Sequence, residues 1–277
     1  MPRADATPVA LSIAGSDSSG GAGIQADLKT FSALGVYGAT VVTAVTAQNT
    51  LGVSAIHNIP PEIVAAQLDA IFEDIVIRAV KIGMLADIQT INAVVAGLIR
   101  HRPPFVVLDP IMIATSGDRL FAADAIRTLA AKLLPLTDCL TPNLAEAAAL
   151  LGTGQARSEA EMAAQGRALL ALGPRSVLMK GGHAPLPEAV DVLVTSHDVQ
   201  RYSAPRIESR NLHGTGCTLS AAIAAGIALG VPLAEAVSQA KTYLKGAIGA
   251  GRRFQIGQGN GPLNHFPDWP VRRQLNL

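Results

Sequence analysis

The run His213-Gly-Thr-Gly-Cys-Thr218 is the segment whose residue types point most directly to chemistry. Its glycines, Gly214 and Gly216, let the backbone turn tightly around Thr215. The Ala-rich helix that follows adds the partial positive charge of its N-terminus. This predicts an anion hole suited to phosphate, with Cys217 at a helix start, where the pKa of a thiol tends to fall. The alternative is an ordinary turn followed by a packed cysteine.

A second glycine cluster, Gly15–Gly23, lies between an apolar run and a helical pattern. Such glycine density permits close backbone approach to a ligand. Asp27 follows one turn into the helix, where it can accept a hydrogen bond, or simply be a solvated helix acid. Gln48 and Asn49 form a polar pair after the next strand, and an amide can read the edge of a heterocycle because it both donates and accepts. They could equally form a turn.

Three further polar groups suggest metal and phosphate chemistry. Asn143 and Glu146 are three residues apart at a helix start, where they can order water around Mg²⁺ or form a capping box. Asp109 ends a buried strand, where an acid is costly unless it is paired or lines a cleft. Lys180 ends another strand and is placed to meet phosphate oxygens. Asp109 and Lys180 could also be a purely structural salt bridge.

The elements that must position these residues alternate between strand and helix, without a repeat or a linker. This predicts one α/β domain over residues 1–277, with a doubly wound, mostly parallel sheet. Its polar clusters follow the strands, so they should meet at the carboxyl edge, where such sheets bind ligands. The predicted strands are 9–14, 40–47, 53–59, 79–82, 105–108, 176–180, 190–195 and 199–204. The predicted helices are 26–34, 60–75, 87–100, 122–134, 143–151, 158–172, 218–229 and 233–249.

Composition narrows the class of protein. Hydrophobic residues make up 49% of the 277 residues and aromatics only 4%, as in a sheet buried by Ala-rich helices. A formal net charge of +1 argues against nucleic acid as a partner. No apolar stretch reaches the length of a membrane span, and no signal-peptide pattern is visible at the N-terminus. Two distant cysteines favour a reduced, cytoplasmic setting.

Taken in order, these segments resemble the hydroxymethylpyrimidine/phosphomethylpyrimidine kinases of thiamine biosynthesis, within the ribokinase superfamily. The resemblance extends from Ser12 to about Phe266. It rests on AGSDSSGGAGIQADLKT (14–30), VTAQNT (45–50), KIGML (81–85), LDPIM (108–112), TPNLAEA (141–147), LMKGGH (178–183), NLHGTGCTLSAAIA (211–224) and GNGPLNHF (259–266).

The resemblance implies a role for each matching position. Gln48 would read the pyrimidine, and Asp27, Met84 and the backbone of Ala22 and Gly23 would complete the substrate pocket. Cys217, where related sugar kinases carry an aspartate, would take the substrate hydroxyl proton or orient that hydroxyl.

For the nucleotide, the resemblance implies ATP and Mg²⁺. Gly214, Thr215 and Gly216 would form the anion hole, and Lys180, together with Thr215, would contact ATP. Asp109 and Glu146 would support the metal, with Asn143 acting through water.

Two positions depart from the usual pattern: Thr115, where many members carry lysine, and Thr46, which varies and can tune the ring pocket. A pyridoxal or pyridoxine kinase is the alternative within the superfamily. A catalytically silent ligand-binding protein is the alternative of another class. Homodimers are common in the superfamily, and the strands near 40–59 could pair across an interface.

Overall fold

The alternation of strands and helices builds one mixed sheet. The computed structural model describes residues 7–85, 87–112, 123–182 and 187–267. Within these residues nine strands form a single sheet in the order β3-β2-β1-β4-β5-β6-β7-β8-β9. The strands are β1 (Val9–Asp17), β2 (Tyr37–Asn49), β3 (Gly52–Asn58), β4 (Ala79–Ile82), β5 (Val106–Leu108), β6 (Cys139–Leu140), β7 (Ser176–Gly181), β8 (Glu188–Thr195) and β9 (Val199–Pro205).

The six strands from β2 to β7 run parallel, whereas β3, β8 and β9 are antiparallel to their neighbours. The expected doubly wound, mostly parallel sheet is therefore confirmed. The helices are α1 (Gly23–Ala33), α2 (Pro61–Asp74), α3 (Ile88–His101), α4 (Ala123–Thr128), α5 (Leu144–Leu151), α6 (Glu159–Leu170), α7 (Thr215–Ala228) and α8 (Leu233–Gly251).

Each face of the sheet is covered by its own apolar layer. Residues of α2 to α6 pack on one face, and residues of α1, α7 and α8 pack on the other. Helix α7 is buried along most of its length, and small side chains such as Ala221 and Ala225 allow close packing. At the contact between α7 and α8, a Cβ on Gly226 would stand 2.9 Å from the Cβ of Ala236. The site-bearing helix is thus held from both sides.

Several boundaries differ from the predicted ones, for local physical reasons. The predicted helix 122–134 is not continuous, since α4 is followed by a π turn (Leu129–Leu133) and a 3-10 turn (Leu134–Leu136). The 3-10 turn contains Pro135, which has no N–H for the next α-helical hydrogen bond. Strand β6 was not predicted, because two residues are too few to show periodicity. Strand β1 continues through Gly15 and Ser16 to Asp17, and β2 includes Gln48 and Asn49, so this polar pair ends a strand.

No helix in the described ranges has the length and apolar character that crossing a bilayer requires.

The close contact at the end of β7 gives a test of this packing. A Cβ on Gly181 would stand 2.2 Å from the carbonyl oxygen of Val190, whereas one on Gly182 would meet no atom within 4 Å. We expect Gly181→Ala to lower the free energy of unfolding by about 1–3 kcal/mol through overpacking. Gly182→Ala, the matched control, should change it by less than about 0.5 kcal/mol. Urea denaturation of both variants measures the difference, and equal stabilities would contradict the packing described.

Candidate active site

Two glycine loops from opposite ends of the chain meet at the carboxyl edge of the sheet. Gly214, the residue before α7, has φ +86°, and a Cβ there would stand 1.9 Å from the carbonyl oxygen of Gly21. Gly23, with φ +57°, would place a Cβ 2.3 Å from the carbonyl oxygen of Gly15. Only glycine tolerates both this backbone conformation and this closeness. The two loops, which the sequence analysis identified separately, are therefore packed directly against each other.

The Asp17 carboxylate organises the first loop. It accepts hydrogen bonds from the Ser19 amide at 2.8 Å, the Gly21 amide at 3.1 Å and the Ala22 amide at 2.8 Å. His213 Nε2 lies 2.8 Å from Asp17 Oδ2. Although burial alone would raise the pKa of Asp17, the hydrogen bonds from His213 and Ser19 lower it to about 2. Asp17 is thus a carboxylate that ties the first loop to the second.

The first turn of α7 holds Thr215, Gly216 and Cys217. Helix starts leave backbone N–H groups without intrahelical partners, which makes this turn suitable for an anion. Cys217 is buried, and the Gly23 amide donates a hydrogen bond to it. The expected lowering of its pKa is wrong. Burial raises the pKa to about 11, and Asp27 and Asp109 add to that effect, while Lys81 and Gly23 oppose it.

Asp27 is fully buried on α1, so it is not the solvated helix acid that was the alternative interpretation. It accepts from Lys81 Nζ at 2.8 Å and from Ser12 Oγ at 2.5 Å, both on Oδ2. Its other oxygen, Oδ1, has no hydrogen-bond partner within the described part of the chain. Burial raises the pKa of Asp27, and Lys81 opposes that shift. An unsatisfied buried carboxylate oxygen beside a glycine loop can accept a hydrogen bond from a ligand.

Lys180 and Asp109 form a close pair next to α7. Lys180 Nζ lies 2.5 Å from Asp109 Oδ1, and Ser220 Oγ lies 3.4 Å from Asp109 Oδ2. A Cβ on Gly216 would stand 3.3 Å from Lys180 Nζ and 3.4 Å from Asp109 Oδ2. The salt bridge therefore exists, and it also borders the predicted anion hole. The structure thus confirms the salt bridge, while the roles of Lys180 with phosphate and of Asp109 with a metal stay predictions.

Asn143 and Glu146 form the capping box of α5, as one of the two interpretations expected. The Asn143 amide donates to Glu146 Oε2 at 2.7 Å, and the Glu146 amide donates to Asn143 Oδ1 at 2.9 Å. Burial raises the pKa of Glu146 to about 7, Lys180 opposes this shift, and Asp109 reinforces it. The side chain of Glu146 is thus both a helix cap and part of the charge cluster around Lys180.

The two carboxylates near Lys180 fit the predicted magnesium ion. No group of three or more His, Cys, Asp or Glu residues able to hold a metal occurs in the ranges described. An ion here would take its other ligands from water and phosphate, as Mg²⁺ commonly does. Burial is the main cause of the raised pKa of Glu146, and the repulsion of Asp109 adds to it; a divalent cation would relieve that repulsion. Asp109 and Glu146 are the residues that would hold it.

Gln48 lies at the end of β2, next to the joined loops. Its side-chain amide contacts Thr46 Oγ1 at 3.1 Å and His213 Nε2 at 3.3 Å. Met84 is buried under the first loop, and its Cε would lie 3.4 Å from a Cβ on Gly15. The structure thus gathers Gln48, Met84 and the Ala22–Gly23 segment around the same loop.

Sequence reasoning gave no individual role to Asp17, Lys81 or Ser220. Lys81 had a visible signal, since a lysine inside the apolar strand β4 must find a buried partner. Asp17 and His213 could not be paired in advance, because they are distant in sequence and their contact depends on the tertiary fold. Thr115 and His183 lie outside the described residues, so the departure at Thr115 is known from the sequence alone.

Comparison with known proteins gives consistent results. A family model described as phosphomethylpyrimidine kinase matches residues 17–264. A hydroxymethylpyrimidine/phosphomethylpyrimidine kinase of Rhizobium meliloti is 59% identical over 263 residues, covering 95% of this chain and 98% of that protein. The Escherichia coli protein of the same name is 52% identical over 260 residues, covering 94% and 98%.

Solved structures add the fold. A phosphomethylpyrimidine kinase from Clostridium difficile is 46% identical, with a TM-score of 0.78, covering 87% of this chain and 99% of that one. An ADP complex of Bacillus subtilis pyridoxal kinase is 34% identical, with a TM-score of 0.87, covering 94% and 98%.

The buried pair beneath the site can be tested by stability. Lys81→Met should lower the free energy of unfolding by about 3–5 kcal/mol, because it leaves the Asp27 carboxylate buried without its ammonium partner. Lys132→Met, which makes the same change at an exposed position, should cost less than about 1 kcal/mol. Asp27→Asn combined with Lys81→Met should recover part of the loss. Chemical denaturation measures all three, and a mild effect of Lys81→Met would refute the pairing.

Proposed function

The chain belongs to the phosphomethylpyrimidine kinase family, and on this premise we propose the reaction that it catalyses. It transfers the γ-phosphoryl group of ATP to the hydroxyl of 4-amino-5-hydroxymethyl-2-methylpyrimidine, and then phosphorylates the resulting monophosphate. The observation that supports this most directly is the Lys180–Asp109 pair bordering Gly216, one residue before Cys217. Lys180, which binds phosphate in this proposal, therefore lies near Cys217, which faces the substrate hydroxyl.

The nucleotide is held by backbone and by Lys180. Gly214, Thr215 and Gly216 at the first turn of α7 bind the transferring phosphoryl group, the glycines through their N–H groups. The Thr215 N–H donates instead to the Leu212 carbonyl at 3.3 Å. Lys180 neutralises the phosphate oxygens, and contacts with these oxygens replace part of its contact with Asp109. Mg²⁺, held by Asp109 and Glu146 with Asn143 ordering a water, supplies further charge neutralisation when bound. Positioning and charge account for most of the catalysis in such a reaction.

Cys217 orients the attacking hydroxyl in this proposal. Because its pKa is raised to about 11, the thiol is protonated in the free protein near neutral pH. A loose transition state places little demand on early proton removal, so a hydrogen bond from a fixed sulfur can serve the first step. Asp27, whose Oδ1 has no hydrogen-bond partner among the described residues, lies close enough to Cys217 to raise its pKa and offers an acceptor beside the thiol.

The substrate assay separates the candidate functions. With Mg-ATP we expect mono- and then diphosphorylated pyrimidine, detected by mass spectrometry, and much slower conversion of pyridoxal. Cys217→Ala should reduce turnover about 10²-fold or more, while Cys139→Ala, which removes the other thiol inside the sheet, should leave turnover of the folded protein intact. Phosphorylated pyridoxal alone would replace the proposal with the vitamin B6 alternative. Binding without turnover in the wild type would favour a silent ligand-binding protein.

We also propose that the protein is cytoplasmic and homodimeric. Both cysteines are free and buried, which fits a reducing compartment. The edge strand β3 exposes all residues from Ser54 to Asn58, and Leu51 and Ile56 are 67% and 44% exposed. An exposed apolar edge invites pairing with another strand, and a second copy of the chain is the partner we propose.

The dimer is tested by sedimentation. Leu51→Asp combined with Ile56→Asp should shift the protein from dimer to monomer at micromolar concentration, because charges replace apolar contacts at the edge. Ile99→Asp, at a similarly exposed position on α3, should leave the dimer unchanged. A wild-type protein that sediments only as a monomer would contradict the proposal.

A further inference from the structure

Four polar side chains form a connected chain beside the proposed ring pocket. Asp17 Oδ2 lies 2.8 Å from His213 Nε2, which lies 3.3 Å from the amide nitrogen of Gln48. The amide oxygen of Gln48 lies 3.1 Å from Thr46 Oγ1, which in turn lies 3.0 Å from the carbonyl oxygen of Ser16. The hydrogens in this chain determine which end of the amide should face which neighbour.

The hydrogen at His213 Nε2 is fixed by Asp17. Asp17 already accepts from three backbone amides and from the Ser19 hydroxyl, so its carboxylate is ionised and carries no hydrogen to give. His213 Nε2 must therefore bear the hydrogen that lies between them, whether the ring is neutral or charged. A nitrogen that carries a hydrogen cannot accept one from the NH₂ group of Gln48. The neighbour of His213 should be the amide oxygen.

The hydrogen at Thr46 is fixed independently. A carbonyl oxygen can only accept, so the Thr46 hydroxyl donates its one hydrogen to Ser16. Thr46 Oγ1 is then an acceptor toward Gln48, and its neighbour should be the NH₂ group. Both ends of the amide therefore favour one orientation, with the oxygen toward His213 and the NH₂ group toward Thr46. A rotation of about 180° about the last side-chain bond of Gln48 produces it from the contacts given above.

We propose that His213, held by Asp17, and Thr46 are positioning residues that fix the direction of the Gln48 amide. This rests on the proposed function, in which Gln48 binds the pyrimidine. The fixed amide presents its oxygen on the His213 side and its N–H on the Thr46 side. An aminopyrimidine then places its 4-amino group toward His213 and its N3 toward Thr46. The 5-hydroxymethyl group, next to the 4-amino group on the ring, points toward the loop that runs from His213 to Cys217.

The surroundings hold this chain in place before a ligand binds. A Cβ on Gly21 would stand 2.4 Å from His213 Cδ2, so the imidazole is packed against the first loop. The His213 amide donates to the Gly261 carbonyl at 3.1 Å, which anchors the second loop to the C-terminal segment. The opposite amide direction would turn the ring over and point the reacting hydroxymethyl group away from Cys217. Substrate recognition and catalytic alignment are thus joined through one amide.

Two ligands with reversed hydrogen-bonding edges test the proposal. One is 4-amino-5-hydroxymethyl-2-methylpyrimidine, and the other is its 4-oxo analogue, which presents an acceptor at position 4 and a donor at N3. Their dissociation constants are measured by calorimetry without nucleotide. The wild type should bind the amino compound at least about tenfold more tightly, because a fixed amide leaves two polar groups of the oxo compound opposed.

Variants then release the amide at either end. Thr46→Val and, separately, His213→Leu should each lower this preference at least about fivefold, since the amide can rotate to match the oxo compound. Thr46→Ser keeps the hydroxyl and should retain the preference. His265→Leu removes another buried imidazole, which contacts Thr218 on α7, and should also retain it. Thr46→Val maintains the test if His213→Leu does not fold.

The outcomes separate the two proposals. Unchanged preference in both Thr46→Val and folded His213→Leu would overturn the positioning role while leaving the kinase function intact. A wild type that binds both compounds equally would do the same. A wild type that binds and phosphorylates neither would overturn the proposed function and this inference with it. Reduced preference in Thr46→Val with retention in Thr46→Ser supports the role of the hydroxyl.

Discussion

The site depends on the near contact between the backbones of Gly214 and Gly21. A Cβ on Gly214 would stand 1.9 Å from the carbonyl oxygen of Gly21. The loop after β1 and the loop before α7 can therefore pack together only if residue 214 is glycine. The contact brings His213 onto Asp17 and the Gly23 amide onto Cys217. Residues from the two ends of the chain therefore meet at one place, and the sheet holds these loops at its carboxyl edge, where such sheets bind ligands.

Buried charge is the second constraint. Among the described residues, Asp27 pairs with Lys81 and Asp109 pairs with Lys180, and Glu146 lies close to the second pair. Burial, reinforced by Asp109, raises the pKa of Glu146 to about 7. Burial, reinforced by Asp27 and Asp109, holds the Cys217 thiol in its protonated form. Such a site is better suited to a ligand that arrives with positive charge than to an anion alone. This agrees with the proposal that Asp109 and Glu146 support a divalent cation beside phosphate.

Much of the fold was predictable because its signals are local. The apolar strands, the Pro61 helix start and the glycine loops follow from composition and periodicity. The break after α4 was missed although Pro135 lies at its end, and the two-residue strand β6 is too short for its sequence to show a period. Within the site, the residue types pointed to segments that the fold brings together, and their roles stay predictions. The predicted direction of the Cys217 pKa shift was wrong, because a helix start suggests a lowered pKa and only the fold reveals the burial and the neighbouring acids that raise it.

In our proposal Gln48 recognises the ring and the loop before α7 serves phosphoryl transfer. The same C-terminal segment supports both, which limits how either can change. Thr50, two residues after Gln48, accepts a hydrogen bond from the Asn260 amide at 2.9 Å, and Gly261 accepts one from the His213 amide at 3.1 Å. One C-terminal segment thus holds both the end of β2, which carries Gln48, and the loop before α7, for which we propose pyrimidine and phosphate binding respectively. A substitution that moves this segment would displace Gln48 and Gly214 together. Altering the preferred ring without loss of phosphoryl transfer therefore requires changes at the amide's immediate neighbours, Thr46 and His213, rather than in the segment behind them.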